Sequence, residues 1–132
     1  MRRISRVPTV LVIDDEASVR RAVRRRFELG GLDVLEAGSG AESLAMLRNG
    51  AKVDAIVCDV IMPELNGVAL YDAIIEQAPE LRQRVVFLTG LAHEPAVHGP
   101  IEERGVPLVS KLDDLTIVVD AVRLALLRPA DG

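Results

Sequence analysis

The sequence predicts one α/β domain built on a parallel β-sheet. Three observations carry that prediction. Five short apolar runs alternate with segments of helical periodicity. The runs are almost continuously apolar, which suits strands buried on both faces. Their C-terminal ends carry polar side chains, which a parallel sheet brings to one edge. A chain of 132 residues fits one such domain.

The first run is Thr9-Val10-Leu11-Val12-Ile13, closed by Asp14-Asp15-Glu16. A helix is expected from about Ala17 to Leu29, because Val19, Ala22, Val23 and Phe27 recur at helical spacing. Gly30-Gly31 stops it. The second run is Leu32-Asp33-Val34-Leu35-Glu36. Ser39 reads as the N-cap of the next helix, with Glu42 completing a capping box and Asn49-Gly50 closing the helix. The third run, Ala55-Ile56-Val57-Cys58, ends at Asp59. A loop from Val60 to Asn66 leads to a helix over about Gly67–Gln77. The fourth run, Val85-Val86-Phe87-Leu88, ends at Thr89. The fifth, Pro107-Leu108-Val109-Ser110, ends at Lys111, and a last helix covers about Asp114–Leu127. Before the fifth run, Pro95, Gly99, Pro100 and Gly105 crowd one stretch. A helix interior tolerates proline poorly. The helix here is therefore expected to be short, split into two fragments or displaced.

Composition narrows the function. The net charge of −4 argues against general nucleic-acid binding. The run Arg20, Arg21, Arg24, Arg25, Arg26 is read as a solvated helix face, with docking of an acidic partner as the sharper alternative. Aromatic residues make up only 2% of the chain, so the core is aliphatic. No apolar run approaches a bilayer span, and Val10–Ile13 is too short for a signal-peptide core despite Arg2, Arg3 and Arg6. The single cysteine, Cys58, excludes an internal disulfide and agrees with a reducing compartment. A cytoplasmic location is expected.

The chemistry lies in the strand ends. Asp14, Asp15, Asp59, Thr89 and Lys111 should meet at one edge of the sheet. Three clustered carboxylates repel, and a hard divalent cation such as Mg²⁺ relieves that with oxygen ligands. Lys111 offers a point charge for a phosphate oxygen, and Thr89 a hydroxyl donor. Gly90 lets a ligand approach the backbone closely. Asp59, between the acidic and cationic walls, is the natural nucleophile, because a carboxylate can form an acyl phosphate. Taken singly, these residues could be a helix-start acid cluster, a strand-end cap, a strand threonine and a surface lysine. Their joint placement at four strand ends is what argues for a site.

On these residues the sequence resembles the receiver domain of two-component response regulators. The matching positions are Asp14-Asp15, Asp59, Met62-Pro63, Gly67, Thr89-Gly90 and Lys111, over about Thr9 to Leu127. The resemblance implies a flavodoxin-like, doubly wound (βα)5 fold with strand order 2-1-3-4-5. It implies a receiver domain over residues 9–127 between tails 1–8 and 128–132, with no output domain after it. It implies phosphorylation of Asp59, aided by Thr89 and Lys111, in a switch that catalyses only its own phosphorylation and dephosphorylation. Mg²⁺ would be held by Asp15, Asp59 and the Ile61 carbonyl, with Asp14 acting through a bound water. The donor would be a phosphohistidine on a sensor histidine kinase or a phosphotransfer protein, docking near the arginine-rich first helix. The output partner is unspecified, with no direct nucleic-acid or membrane partner expected.

Three departures from the family pattern fall around the usual output surface. Leu108 stands where an aromatic switch residue is frequent, Leu112 where proline commonly follows the lysine, and Pro95, Gly99 and Pro100 in the fourth helix. The last feature resembles receivers attached to hybrid histidine kinases. Two other readings compete. One is a receiver-shaped interaction module that works without phosphorylation. The other is a Mg²⁺-dependent phosphohydrolase, which the adjacency of Asp14 and Asp15 and the lack of a cap domain argue against. Apolar Ile61 and Leu91 beside the acceptor predict slow self-dephosphorylation. Cys58 and Met62 read as core residues. His93 and His98 have no visible companions for a zinc site.

Overall fold

The computed structural model describes residues 6–62, 66–90 and 94–128. Five parallel strands form one sheet in the order β2-β1-β3-β4-β5. They are β1 (Thr9–Ile13), β2 (Asp33–Ala37), β3 (Ala55–Asp59), β4 (Val85–Thr89) and β5 (Leu108–Ser110). The helices are α1 (Ala17–Leu29), α2 (Gly40–Arg48), α3 (Gly67–Gln77), α4 (Pro95–Arg104) and α5 (Leu115–Leu126). A short 3-10 turn at Pro79–Leu81 was not foreseen. The strand order is the expected 2-1-3-4-5.

Alternation along the central strands divides the core in two. Leu11, Ile13, Ile56, Cys58 and Phe87 face Leu70, Tyr71 and Ile74 of α3 and Ile101 of α4. Val10, Val12, Val57, Val86 and Leu88 face Val23 and Phe27 of α1 and Val118, Val119 and Val122 of α5. This explains the unbroken apolar runs: each strand must satisfy a core on both sides.

Local chemistry sets the helix limits. Ser39 Oγ accepts from the Glu42 N–H at 3.1 Å, as the capping box requires. The return bond is displaced by one residue: Glu42 Oε1 accepts from the Gly38 N–H at 2.6 Å. Asn66 caps α3 through the Ala69 N–H at 2.8 Å. Asp114 caps α5 through the Thr116 N–H, which holds its carboxyl below the usual range.

Of the forms expected for the fourth helix, the structure shows one continuous helix of 10 residues, irregular in carrying Pro100 inside it and not split into two fragments. Pro95 stands at its start, where a missing N–H costs nothing. Gly99, preceding Pro100, lacks the Cβ that would clash with the proline ring. Gly105, at φ 68°, ends the helix in the left-handed region. Arg104 then ties α4 to α3 through a two-pronged bond to Asp72, at 3.0 and 2.8 Å. That pairing raises the Arg104 pKa and lowers that of Asp72.

Candidate functional site

The C-terminal ends of β1, β3, β4 and β5 converge as expected. Asp14 and Asp59 are buried, at 2% and 4% exposure, while Asp15 is exposed. Asp14, Asp15 and Asp59 each present a carboxylate oxygen, and these three atoms lie within 4.8 Å of one another. Lys111 Nζ sits 3.0 Å from Asp14 Oδ2 and 3.1 Å from Asp59 Oδ2. One ammonium therefore bridges two buried carboxylates drawn from the ends of the adjacent strands β1 and β3.

Backbone bonds fix the cluster. The Glu16 N–H donates to Asp14 Oδ1 at 2.9 Å, and the Ile61 N–H to Asp59 Oδ1 at 3.2 Å. Arg20 donates to the Asp14 carbonyl at 2.6 Å. The Lys111 N–H donates to the Thr89 carbonyl at 2.9 Å, so Lys111 is placed by continuing the pairing of β5 with β4. Thr89 is fully buried at the end of β4. The Ser110 hydroxyl accepts from the Leu112 N–H, shaping the turn that follows. Gly67 lets α3 start against the acceptor strand: an added Cβ would lie 2.6 Å from the Asp59 carbonyl oxygen and 2.8 Å from Val60 Cα.

The electrostatics follow from burial. Burial raises the Asp59 carboxyl above the ordinary value, and the nearby Asp14 charge adds to the rise. The Lys111 hydrogen bond and the Ile61 N–H oppose it. For Lys111, burial acts to lower the pKa, but the bonds to Asp14 and Asp59 outweigh it and the net direction is upward. The ammonium is thus held charged among the acids. Cys58, one residue before Asp59, is buried, and its thiol is pushed up by burial and then by the Asp59 and Asp14 charges. A thiol held protonated is unreactive, which agrees with its expected core role.

The donor set fits a hard divalent cation. It is all oxygen, carries excess negative charge, and has one exposed carboxylate on an open side. Ile61 is half exposed beside Asp59. Met62 is buried and joins the α3-side core, as expected. Leu112 is 86% exposed at the turn after Lys111. Leu108, at the start of β5, is partly buried against the α3-side core. His98 is exposed on α4, 3.8 Å from Glu102. The expectations placed on Pro63, Leu91 and His93 lie outside the described residues.

One site residue escaped the sequence reading. Glu16 Oε1 lies 3.5 Å from Lys111 Nζ, adding a third carboxylate to the ammonium. Its only signal was adjacency to Asp14-Asp15. The arginine run also divides. Arg20 and Arg24 reach across to Glu36 on β2, at 3.1 and 2.8 Å. Arg21 and Arg25 are exposed and make no ion pair among the described residues.

The family model for the response regulator receiver domain matches residues 10–123. The chain belongs to this family. The sensor kinase CckA of Brucella abortus (strain 2308) is 36% identical to this receiver domain over 87 residues, covering 65% of the chain and 9% of that protein. The C4-dicarboxylate transport transcriptional regulatory protein DctD of Rhizobium meliloti (strain 1021) is 29% identical over 108 residues, covering 82% and 23%. The chain thus spans a small part of the length of these relatives. Among solved structures, FixJ-N superposes with a TM-score of 0.82 at 21% identity, covering 97% of this chain and 100% of that one. The Francisella response regulator 1452 receiver domain superposes at 0.77 with 26% identity, covering 90% and 96%. These likenesses agree with the CheY-type topology of the sheet.

Proposed function

We propose that this receiver domain accepts a phosphoryl group on Asp59 from a phosphohistidine of a histidine kinase or phosphotransfer protein. Relatives that include a sensor kinase and a response regulator support that class of donor. In the transfer, an Asp59 carboxylate oxygen forms the new P–O bond as the P–N bond to the imidazole breaks. The imidazole nitrogen keeps the bonding pair and is reprotonated. Asp59 must be ionised to attack, and the Lys111 ammonium favours that form against burial. As charge moves onto the phosphoryl oxygens, Lys111 exchanges its bond to Asp59 for one to the phosphoryl group, and the Thr89 hydroxyl donates a second. Asp15, Asp59 and the Ile61 carbonyl are the proposed direct ligands of Mg²⁺, with Asp14 acting through a bound water. When bound, the ion supplies positive charge that neutralises the carboxylates and the incoming phosphoryl oxygens.

The observation that carries this reading is the Lys111 ammonium held 3.0 and 3.1 Å from two buried carboxylates. That arrangement is poor as mere stabilisation, because the desolvation of buried ions offsets much of their attraction. It is well suited to receiving an anion. The test is intact mass spectrometry after incubation with acetyl phosphate, with and without Mg²⁺. One phosphoryl adduct is expected on the native chain, dependent on Mg²⁺ and absent from Asp59→Asn. If no donor labels the native chain, or if Asp59→Asn is labelled equally, the assignment fails. Unlabelled chain that still binds a histidine kinase would point instead to a phosphorylation-independent interaction module.

A further inference from the structure

A cleft of about 230 Å³ lies at the end of the sheet opposite Asp59. It opens where β4 and β5 begin, between the turn after Pro79–Leu81 and the C-terminal ends of α4 and α5. Its floor is apolar: Val85 and Val106 are buried and Pro107 is half-buried. Its charged lining residues are all arginines, namely Arg82, Arg104 and Arg128. No carboxylate lines it among the described residues. Asp72 is bonded to Arg104, Asp54 is bonded to Arg6, and Glu80 lines a different cavity. Glu103 is exposed beside Arg104. The cleft is thus a positive patch on a chain whose net charge is −4.

The two exposed arginines are anchored at their backbones. The Tyr71 hydroxyl donates to the Arg82 carbonyl at 3.1 Å, and Arg84 Nη2 donates to the Arg128 carbonyl at 2.7 Å. Neither Arg82 nor Arg128 makes an ion pair among the described residues. Arg84 stands between them in the same state. Its guanidinium donates to the Asp54 and Arg128 carbonyls, meets no carboxylate among the described residues, and has its Nε buried without an acceptor. Like charges gathered this way repel, and a bound anion relieves them. We infer that this cleft binds a small phosphate monoester, with the phosphoryl group on Arg82 and Arg128 and the organic part on the Val85, Val106 and Pro107 floor. The charge balance selects that class. Arg104 is answered by Asp72, which leaves the charges of Arg82, Arg84 and Arg128 in surplus. A monoanion balances little of that, whereas a phosphate monoester carries about −1.5 to −2 at neutral pH and offers three acceptor oxygens to guanidinium forks.

The test is titration of the isotope-labelled full chain with phenyl phosphate, free of divalent metal, followed by amide chemical shifts. The amides of Arg82, Arg84, Gly105 and Val106 should move and saturate, with a dissociation constant on the order of 1 mM for a site whose charges are largely exposed. Phenyl sulfate, a monoanion of similar shape, should bind at least about fivefold more weakly, and so should inorganic phosphate, which leaves the floor uncovered. Arg82→Ala and Arg128→Ala should each weaken binding at least about fivefold with the rest of the spectrum unchanged. Arg21→Ala, which removes an exposed arginine on α1, should change it less than about twofold. Asp59→Asn should bind like the native chain, which keeps failure here separate from failure of the phosphorylation reading. Absence of saturable shifts up to about 20 mM overturns the inference. So do shifts confined to Asp14, Asp59 and Lys111, unchanged affinity in Arg82→Ala and Arg128→Ala, or phenyl sulfate or inorganic phosphate binding as tightly as phenyl phosphate.

Discussion

Gly67 shows how tightly the acceptor strand is held. Its N–H donates to the Val60 carbonyl at 2.7 Å, so α3 begins in contact with the backbone carrying Asp59. An alanine methyl there would meet the Asp59 and Val60 backbone, which cannot yield as a flexible side chain would. Gly67→Ala is expected to cost about 1–3 kcal/mol in chemical denaturation and to slow labelling of Asp59 by acetyl phosphate. Unchanged labelling would show that this close approach does not position the acceptor. Asp59 itself gives a pH signature. Its folded-state pKa is raised, chiefly by burial, so the folded chain holds this proton more firmly than the unfolded chain. The stability this contributes is present below the ordinary carboxylate pKa of about 4 and is lost as pH rises through the raised value. Asp59→Asn does not titrate. Its melting temperature without divalent metal should therefore pull ahead of the native chain's as pH rises from about 4 towards neutrality. A difference that stays flat across that range would refute the assigned cause. Both residues were visible in the sequence as site candidates. Glu16 was not, because its contact with Lys111 depends on where the side chain after the acidic pair turns, which adjacency does not determine.

Among the elements, α1 and α4 mark the two extremes of what sequence could tell. The limits of α1, Ala17–Leu29, were legible to the residue, since helical spacing of Val23 and Phe27 and the closing Gly30-Gly31 agree. The start of β2 was less so: Leu32 is buried and apolar, but its N–H bonds back to the Phe27 carbonyl and not across the sheet. For α4 the local rules conflicted. Two prolines and two glycines argued against a continuous helix, and the helix forms regardless, because Pro95 takes the first position and the tie to Asp72 holds the far end. Pro100 still lacks the N–H that would bond to the Ala96 carbonyl, and only Ile101 of this helix is buried. Replacing Pro100 with alanine restores a donor, offset in part by the greater freedom of the unfolded chain. Pro100→Ala should raise hydrogen-exchange protection of the α4 amides by about tenfold, with smaller changes in α1. Equal protection in both proteins would mean that the proline does not limit the helix.

At the scale of the molecule, the sheet separates two cores of similar make-up, but only one of them lies beside Gly67, where α3 meets the acceptor strand. The chain has two phenylalanines, and each is fully buried in a different core. Phe27 packs between α1 and the face shared with α5. Phe87 packs on the other face, with its ring centroid 6.1 Å from that of Tyr71 and its edge 3.1 Å from where a Gly67 Cβ would stand. Phe27→Leu and Phe87→Leu remove similar volume, and each should cost about 1–2 kcal/mol in urea denaturation. The two sites lie on opposite faces with no shared partners, so the double variant should be additive within about 0.5 kcal/mol. Their effects on chemistry should differ. Under conditions where both variants remain folded, Phe27→Leu should label at Asp59 as fast as the native chain. Phe87→Leu should label more slowly, because the void it leaves lies beside Gly67, where the start of α3 meets the Asp59 backbone. Equal slowing in both would mean that labelling follows global stability and not local support of the contact between α3 and the acceptor strand. Slowing confined to Phe27→Leu would assign that support to the α1 and α5 face instead.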